Sequence, residues 1–173
     1  KAIALKANFF EANLGLADAQ LALKDYPNAV KSYREAKRIK NDNIDAVIGL
    51  GDAQRLNGDF NDAAGSYRTA TTFIARRPDF SKESAADVYS NLGLVIGQQC
   101  ELNMKKAISC QWPETITALE KAVELGGGKS ADFANLGWAY YNAARIDGYE
   151  KREADKKTKL QLARVNLDKA VAM

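Results

Sequence analysis

A chain of 173 residues is long enough for one large domain or one stack of repeats, and 46% hydrophobic with 27% charged residues is an ordinary composition for a folded protein. It contains no histidine, which excludes Ser-His-Asp and Cys-His nucleophilic sites and the usual histidine-containing zinc sites. A net charge of +3 is too small to argue for nucleic acid as a partner.

No apolar run approaches the ~20 residues that a membrane span needs. The longest uncharged stretch, residues 88–100, is interrupted by Ser90, Asn91 and two glycines, so no membrane insertion is expected. The first residue is Lys1 and no signal peptide follows. The expectation is a fragment of a longer chain, with the cytoplasm as the default location.

The elements follow from a repetition. Residues 15–20 read GLADAQ and residues 49–54 read GLGDAQ, thirty-four positions further on. In that register Asp25 lies over Asp59, Tyr26 over Phe60, Ala29 over Ala63, Tyr33 over Tyr67 and Ala36 over Ala70. Self-similarity at a fixed period of about 20–50 residues signals a helical or mixed solenoid. Apolar residues fall at i, i+3, i+4 and i+7, and no β-branched run alternates, so each repeat is predicted to be two helices joined by a short turn. Leu16, Ala17 and Gln20 are expected on one face of the first helix, and Ala29, Tyr33 and Ala36 on one face of the second.

In chain order, residues 1–9 read as the tail of a preceding second helix. Residues 10–43 form repeat one, 44–82 repeat two, 83–129 repeat three and 130–173 repeat four. The later repeats are marked by NLG at 91–93 and 135–137, and by the likeness of ALEKAVEL at 118–125 to NLDKAVAM at 166–173. Pro27 and Pro113 occupy the same phase, in the first turn of a second helix, where the missing N–H costs nothing. Pro78 follows the second helix of repeat two, where proline stops a helix.

Repeats three and four are stretched. Gly93 to Ala122 spans 29 positions and Gly137 to Ala170 spans 33, against 19 from Gly51 to Ala70. In repeat three the extra residues are expected in the first helix or its turn, because Trp112, Pro113 and Glu114 mark the start of the second. In repeat four Gly148 is expected to mark the turn before a long second helix.

These phased residues resemble the tetratricopeptide repeat, a 34-residue helix–turn–helix with small residues at positions 8, 20 and 27. Position 8 falls on Ala17, Gly51, Gly93 and Gly137. Position 20 falls on Ala29 and Ala63, and position 27 on Ala2, Ala36, Ala70, Ala122 and Ala170. Position 24, large in the family, falls on Tyr33, Tyr67, Leu119 and Leu167. Close packing is the reason: a small residue on one helix makes room for a large one on its neighbour. The sequence departs from the family at position 32, where Ala7, Asn41 and Ala75 replace proline, and at position 11, where Gln20 and Gln54 replace an aromatic or aliphatic residue. The resemblance covers essentially the whole chain. It implies an all-α right-handed superhelix of antiparallel helix pairs.

In that family the first helix of each repeat lines a concave groove. Carried over by position, the groove residues are Glu11, Leu14, Asp18, Leu21, Asp45, Ile48, Asp52 and Arg55, then Asp87, Ser90, Asn91, Leu94, Gln98, Asn135, Trp138, Tyr141 and Asn142. The first set is acidic, and clustered carboxylates favour a basic ligand. Acidic residues near a helix start also suit its dipole, which is enough to account for Glu11, Asp45 and Asp87 but not for Asp18 and Asp52. In the second set Asn91 and Asn135 share a phase, and an amide can both donate to and accept from a peptide backbone. Trp138 and Tyr141 lie one turn apart and suit an apolar anchor; a protruding helix burying Trp138 is the alternative. Leu14 and Ile48 stand where members that grip a C-terminal carboxylate carry lysine, so a ligand of that kind is not expected.

The expected function is therefore a protein–protein interaction scaffold that holds an extended peptide segment of a partner, which carries basic residues. The alternative is self-assembly into a homo-oligomer, since exposed repeat ends tend to associate. No catalytic group, cofactor or metal is expected: there is no phosphate-binding glycine loop and no pair of catalytic carboxylates. Lys31, Arg34, Lys37, Arg38 and Lys40, then Lys151, Arg152, Lys156, Lys157 and Lys159, make the second helices basic. With interleaved acids they read as a solvated convex face, and the stacking side chains that RNA-binding repeats present in every unit are not seen. Cys100 and Cys110 on one straight helix would lie ~15 Å apart, beyond bridging distance. They bridge only if the helix folds back between them, and free thiols are the expectation for a cytosolic chain.

Overall fold

The computed structural model describes residues 2–105, 110, 112–126 and 128–173, with side chains from residue 9 onward except that of residue 105. Ala2 and Ala7, assigned above to repeat positions, lie outside the described side chains. Eight α-helices and no strand occur among the described residues: α1 (Ala2–Ala22), α2 (Tyr26–Ile39), α3 (Ile44–Asn57), α4 (Phe60–Ile74), α5 (Lys82–Lys105), α6 (Trp112–Gly126), α7 (Ser130–Tyr149) and α8 (Glu153–Ala172). None is long and apolar enough to cross a membrane.

The helix ends follow local rules. Pro27 sits in the first turn of α2, and the Asn43 side chain accepts from Ala46 N at 2.8 Å to cap α3. Gly58 closes α3 with a φ of 86°, a left-handed conformation that costs glycine no Cβ clash. At the start of α7, Lys129 N donates to the Asp132 carboxylate.

The chain divides into two compact units, Lys1–Asp79 and Phe80–Met173. In the amino-terminal unit α1 packs on α2, α2 on α3 and α3 on α4; in the carboxy-terminal unit α5 packs on α6, α6 on α7 and α7 on α8. This is the all-α helical repeat that the sequence predicts.

The pairing of small with large positions is the packing rule within both units. A Cβ on Gly51 would lie 2.8 Å from the Tyr67 ring, one on Gly93 would lie 2.6 Å from Leu119 Cγ, and one on Gly137 would lie 2.7 Å from Leu167 Cγ. Ala17 and Tyr33 share one buried cluster with Ala29, Val30, Leu50 and Ala53. Tyr33 also reaches the next repeat, where a Cβ on Gly49 would lie 2.4 Å from its ring. One aromatic thus holds both its own helix pair and the following one.

Several expectations are corrected. α1 is continuous from Ala2 to Ala22, so the segment read as the end of an earlier helix runs straight into the first helix of repeat one. Leu16 does not share the buried face of Ala17; it is 51% exposed. The extra residues of repeat three do lengthen its first helix, to 24 residues against 14 in α3. In repeat four, however, α7 and α8 are both lengthened, to 20 residues each, and Gly148 lies inside α7. The turn falls at 150–152, where Lys151 takes a positive φ of 59°.

The expectation of free thiols is overturned. Cys100 and Cys110 form a disulfide with their Cα atoms 5.1 Å apart. The straight-helix premise fails because Cys110 lies outside α5, just before α6, and close to Cys100.

Candidate functional site

In the amino-terminal unit the repeated hexapeptide acts first on its own repeat. Tyr33 Oη donates to Asp18 Oδ1 at 2.5 Å and Tyr67 Oη donates to Asp52 Oδ1 at 2.6 Å. Ser32 Oγ contacts the Gln20 amide at 2.7 Å, and Ser66 Oγ contacts the Gln54 amide at 2.6 Å. Oriented with its nitrogen inward, the Gln54 amide donates to Ser66 and also to the Leu50 and Asp62 carbonyls at 3.2 Å each. Each first helix therefore clips its second helix twice, once by carboxylate and once by amide. The glutamines that depart from the family at position 11 are half of a Gln–Ser pair.

The same chain shows that the parts of this clip go together. In repeats three and four the tyrosine position holds Leu119 and Leu167, and the aspartate position holds Leu94 and Trp138. Where the hydroxyl is absent the carboxylate is absent too. That signal was present in the sequence, in the equal spacing of Asp18 to Tyr33 and Asp52 to Tyr67.

Burial sets the electrostatics. It raises the Asp52 carboxyl above its ordinary value, while the Tyr67 hydroxyl and the Arg55 guanidinium pull it back. Tyr67 is raised by burial and then by the charge and hydrogen bond of Asp52, with Arg55 opposing; Tyr33 is raised by burial and then by its bond to Asp18. Asp18 stays exposed as a residue, whereas Asp52 and Arg55 are half-buried. Glu11, also assigned to the groove, pairs with Lys40 at 3.3 Å.

In the carboxy-terminal unit the candidate residues lie where α5 and α7 meet. Lys129 pairs with Asp87 at 2.8 Å, and Ser90 Oγ donates to Asp132 Oδ1 at 2.8 Å. Further along, the Trp138 ring lies against Gly97, where a Cβ would come within 2.3 Å of it. Its indole N–H donates to Glu101 Oε1 at 3.1 Å, and Trp112 meets it edge-to-face with ring centroids 5.3 Å apart. Trp138 is thus half-buried against α5, and neither Glu101 nor Trp112 was among the groove residues read from the sequence.

The other assigned residues divide. Tyr141 is 50% exposed. Asn135 is half-buried, and no side-chain hydrogen bond is found for it among the described residues; Asn91 is also half-buried and has a partner. Asn142 is buried, donating to Trp138 O at 3.0 Å and accepting from Arg145 at 3.2 Å, so its amide is engaged within α7. Next to it, Tyr140 Oη donates to Glu120 Oε1 at 2.5 Å, tying α7 to α6. Burial and then that bond raise the Tyr140 hydroxyl.

These shifts predict an alkaline limit. Tyr33, Tyr67 and Tyr140 all have folded-state values raised above the ordinary 10.0. The stability they confer is fully present below the unfolded tyrosine value of about 10 and falls as pH rises above it. Absorbance at the tyrosinate band should show Tyr33, Tyr67 and Tyr140 ionising together with loss of helical circular dichroism. Ionisation of these three with the helices intact would contradict this.

No protein-family model matches the sequence, and no curated protein matches it. Solved structures do. The crystal structure of MamA is 19% identical, with a TM-score of 0.63 over all of this chain and 86% of its own. The type III secretion chaperone SycD of Yersinia enterocolitica, solved with a peptide of the translocator YopD, is 16% identical, with a TM-score of 0.56 over 90% of this chain and 92% of its own. YrrB, described as a TPR protein with an unusual peptide-binding site, is 15% identical, with a TM-score of 0.56 over 89% of this chain and 84% of its own. At these identities the likeness is one of fold.

Proposed function

From a chain with the tetratricopeptide-repeat fold, we propose a protein-interaction scaffold whose carboxy-terminal unit holds an extended peptide where α5 and α7 meet. The observation that carries this reading is the surface of α7. Tyr141 is half exposed, Trp138 lies one turn away with part of its ring uncovered, and Asn135 has an amide with no hydrogen-bond partner among the described residues. Aromatic side chains anchor peptides at low entropic cost, and a side-chain amide matches a peptide group with one donor and one acceptor. SycD, of the same fold, was solved with a peptide.

In this reading Asn91 and Asn135 bond the peptide backbone, while Trp138 and Tyr141 grip one apolar side chain. The amino-terminal unit, taken by itself, offers a partner polar contacts from Asp18, still exposed beside its tyrosine, and from Asp52 with Arg55, and Asp18 favours a basic residue. Asn142, occupied within α7, supports Trp138 from behind. A second reading, self-association, is favoured by α8, which leaves Leu162, Val165 and Val171 exposed.

A phage-displayed library of random peptides tests the first reading. Selected peptides should share a large apolar residue. The Asn135→Ala/Tyr141→Ala chain should bind them at least about tenfold more weakly, the loss of about 1.4 kcal/mol, with an unchanged melting temperature. Equal binding by both chains would remove the peptide from this face, and a chain that selects nothing but forms dimers would support self-association.

A further inference from the structure

The disulfide stands beside the residue on which the peptide reading rests. Among the described residues, Trp138 is positioned from outside its own helix by Gly97 against the ring, Glu101 accepting from the indole N–H, and Trp112 packed edge-to-face with it. Glu101 directly follows Cys100, Gly97 lies one turn before it, and Trp112 is two residues past Cys110. No covalent link joins the bridge to α7, so it acts on Trp138 through where it places these three residues.

Trp112 is the part that the bridge constrains most. It is 2% exposed, yet its indole nitrogen is buried with no hydrogen-bond partner among the described residues. A buried donor left unpaired favours turning toward water. Packing against Trp138 opposes that, and so does the covalent tie two residues earlier, which holds the start of α6 against α5. Removing the tie leaves only the packing.

We propose that the Cys100–Cys110 disulfide is a redox control on Trp138: the bridged chain holds the Trp112–Trp138 pair closed, and the reduced chain releases it. The proposal rests on the reading of Trp138 as part of the peptide anchor for its effect on binding, but not for its effect on the tryptophans. The reductant is a dithiol. One of its thiolates attacks Cys110 Sγ, the half-exposed member of the pair, since Cys100 is 3% exposed. The Sγ–Sγ bond breaks, Cys100 leaves as a thiolate and takes up a proton, and a mixed disulfide forms on Cys110. The second thiol of the reductant then displaces Cys110, which is protonated in turn. Two electrons pass from the dithiol, which becomes a cyclic disulfide, to the cystine, which becomes two thiols.

The chain contains two tryptophans, Trp112 and Trp138, so its tryptophan signal reports this place and no other. The probe is dithiothreitol, added to the whole chain. Near-ultraviolet circular dichroism of the tryptophans should weaken and their emission should move to longer wavelength on reduction, with far-ultraviolet helicity retained. Cys100→Ala/Cys110→Ala should reproduce the reduced spectrum and ignore dithiothreitol. Identical tryptophan spectra before and after verified thiol release would overturn the proposal. For a library-selected peptide, the reduced chain should bind more weakly, by on the order of fivefold. Changed spectra with unchanged affinity would overturn control of binding. If no peptide binds either form, the peptide reading fails, and the spectra alone still decide whether the bridge governs Trp138.

Discussion

Tyr67→Ala is expected to destabilise the amino-terminal unit by about 3–5 kcal/mol, the usual cost of removing a large aromatic side chain from a core. Its ring is fully buried and fills the space that Gly51 leaves open, so no neighbour can collapse into the void without moving α3 toward α4. Tyr67→Phe keeps that packing and removes the donor to Asp52. The expected cost is about 1–3 kcal/mol, because a half-buried carboxylate loses one of its partners. It should also raise the Asp52 carboxyl further, since the Tyr67 bond is one of the influences that lower it. A group raised in the folded state confers stability that is present below its unfolded value and lost as pH rises through the folded one. The deficit of Tyr67→Phe should therefore shrink as pH falls toward 4. Urea unfolding followed by far-ultraviolet circular dichroism at pH 4 and pH 7 measures both effects. A phenylalanine variant as stable as the original at pH 7 would show that the Tyr67–Asp52 half of the clip contributes nothing.

The second large effect has the opposite origin. Alanine is a better helix former than glycine by about 1 kcal/mol, so a glycine in the middle of a helix normally gains from the exchange. Gly65 is such a case: a Cβ there meets nothing within 4 Å, and Gly65→Ala should stabilise by about 0.5–1 kcal/mol. At Gly93 the new Cβ would lie 2.6 Å from Leu119 Cγ and 3.1 Å from the Thr115 carbonyl oxygen. Backbone cannot step aside as a flexible side chain can, so α5 and α6 must separate. Overpacking costs about 1–3 kcal/mol, which outweighs the propensity gain, and Gly93→Ala should destabilise by about 2 kcal/mol. Leu119→Ala alone should cost about 2–5 kcal/mol. In the double variant the alanine at 93 finds the space that Leu119 vacated, and the two losses should sum to less than their separate values. Tryptophan fluorescence during unfolding follows the carboxy-terminal unit, where both tryptophans lie. Additive losses would mean that Gly93 is not paired with Leu119.

The legibility of the chain divides along the same lines. Architecture could be read because close packing of two helices imposes one small and one large residue at a fixed offset. That constraint recurs at Gly51 with Tyr67, Gly93 with Leu119 and Gly137 with Leu167. The clip was less legible. Asp18 and Asp52 sit where the family presents groove residues, so their charge drew attention outward, while their bonds run inward to Tyr33 and Tyr67. The deciding clue was the joint loss of both partners in the stretched repeats.

The surroundings of Trp138 were least legible, for a physical reason. Glu101 and Cys110 belong to the extra residues of repeat three, for which no other repeat supplies a register. Between Cys100 and Cys110 the sequence has no glycine or proline to mark a helix end, so it could not show that the two cysteines meet. Tyr141, on the regular part of α7, needed no such information, and its exposure follows from helical phase.

The most direct test of the central claim locates the peptide on the chain. A library-selected peptide would carry benzoylphenylalanine in place of its apolar residue, and mass spectrometry after illumination would identify the residues it joins. Cross-links are expected to residues 94–101 of α5 and 135–142 of α7. Cross-links confined to α6 and α8 would contradict it.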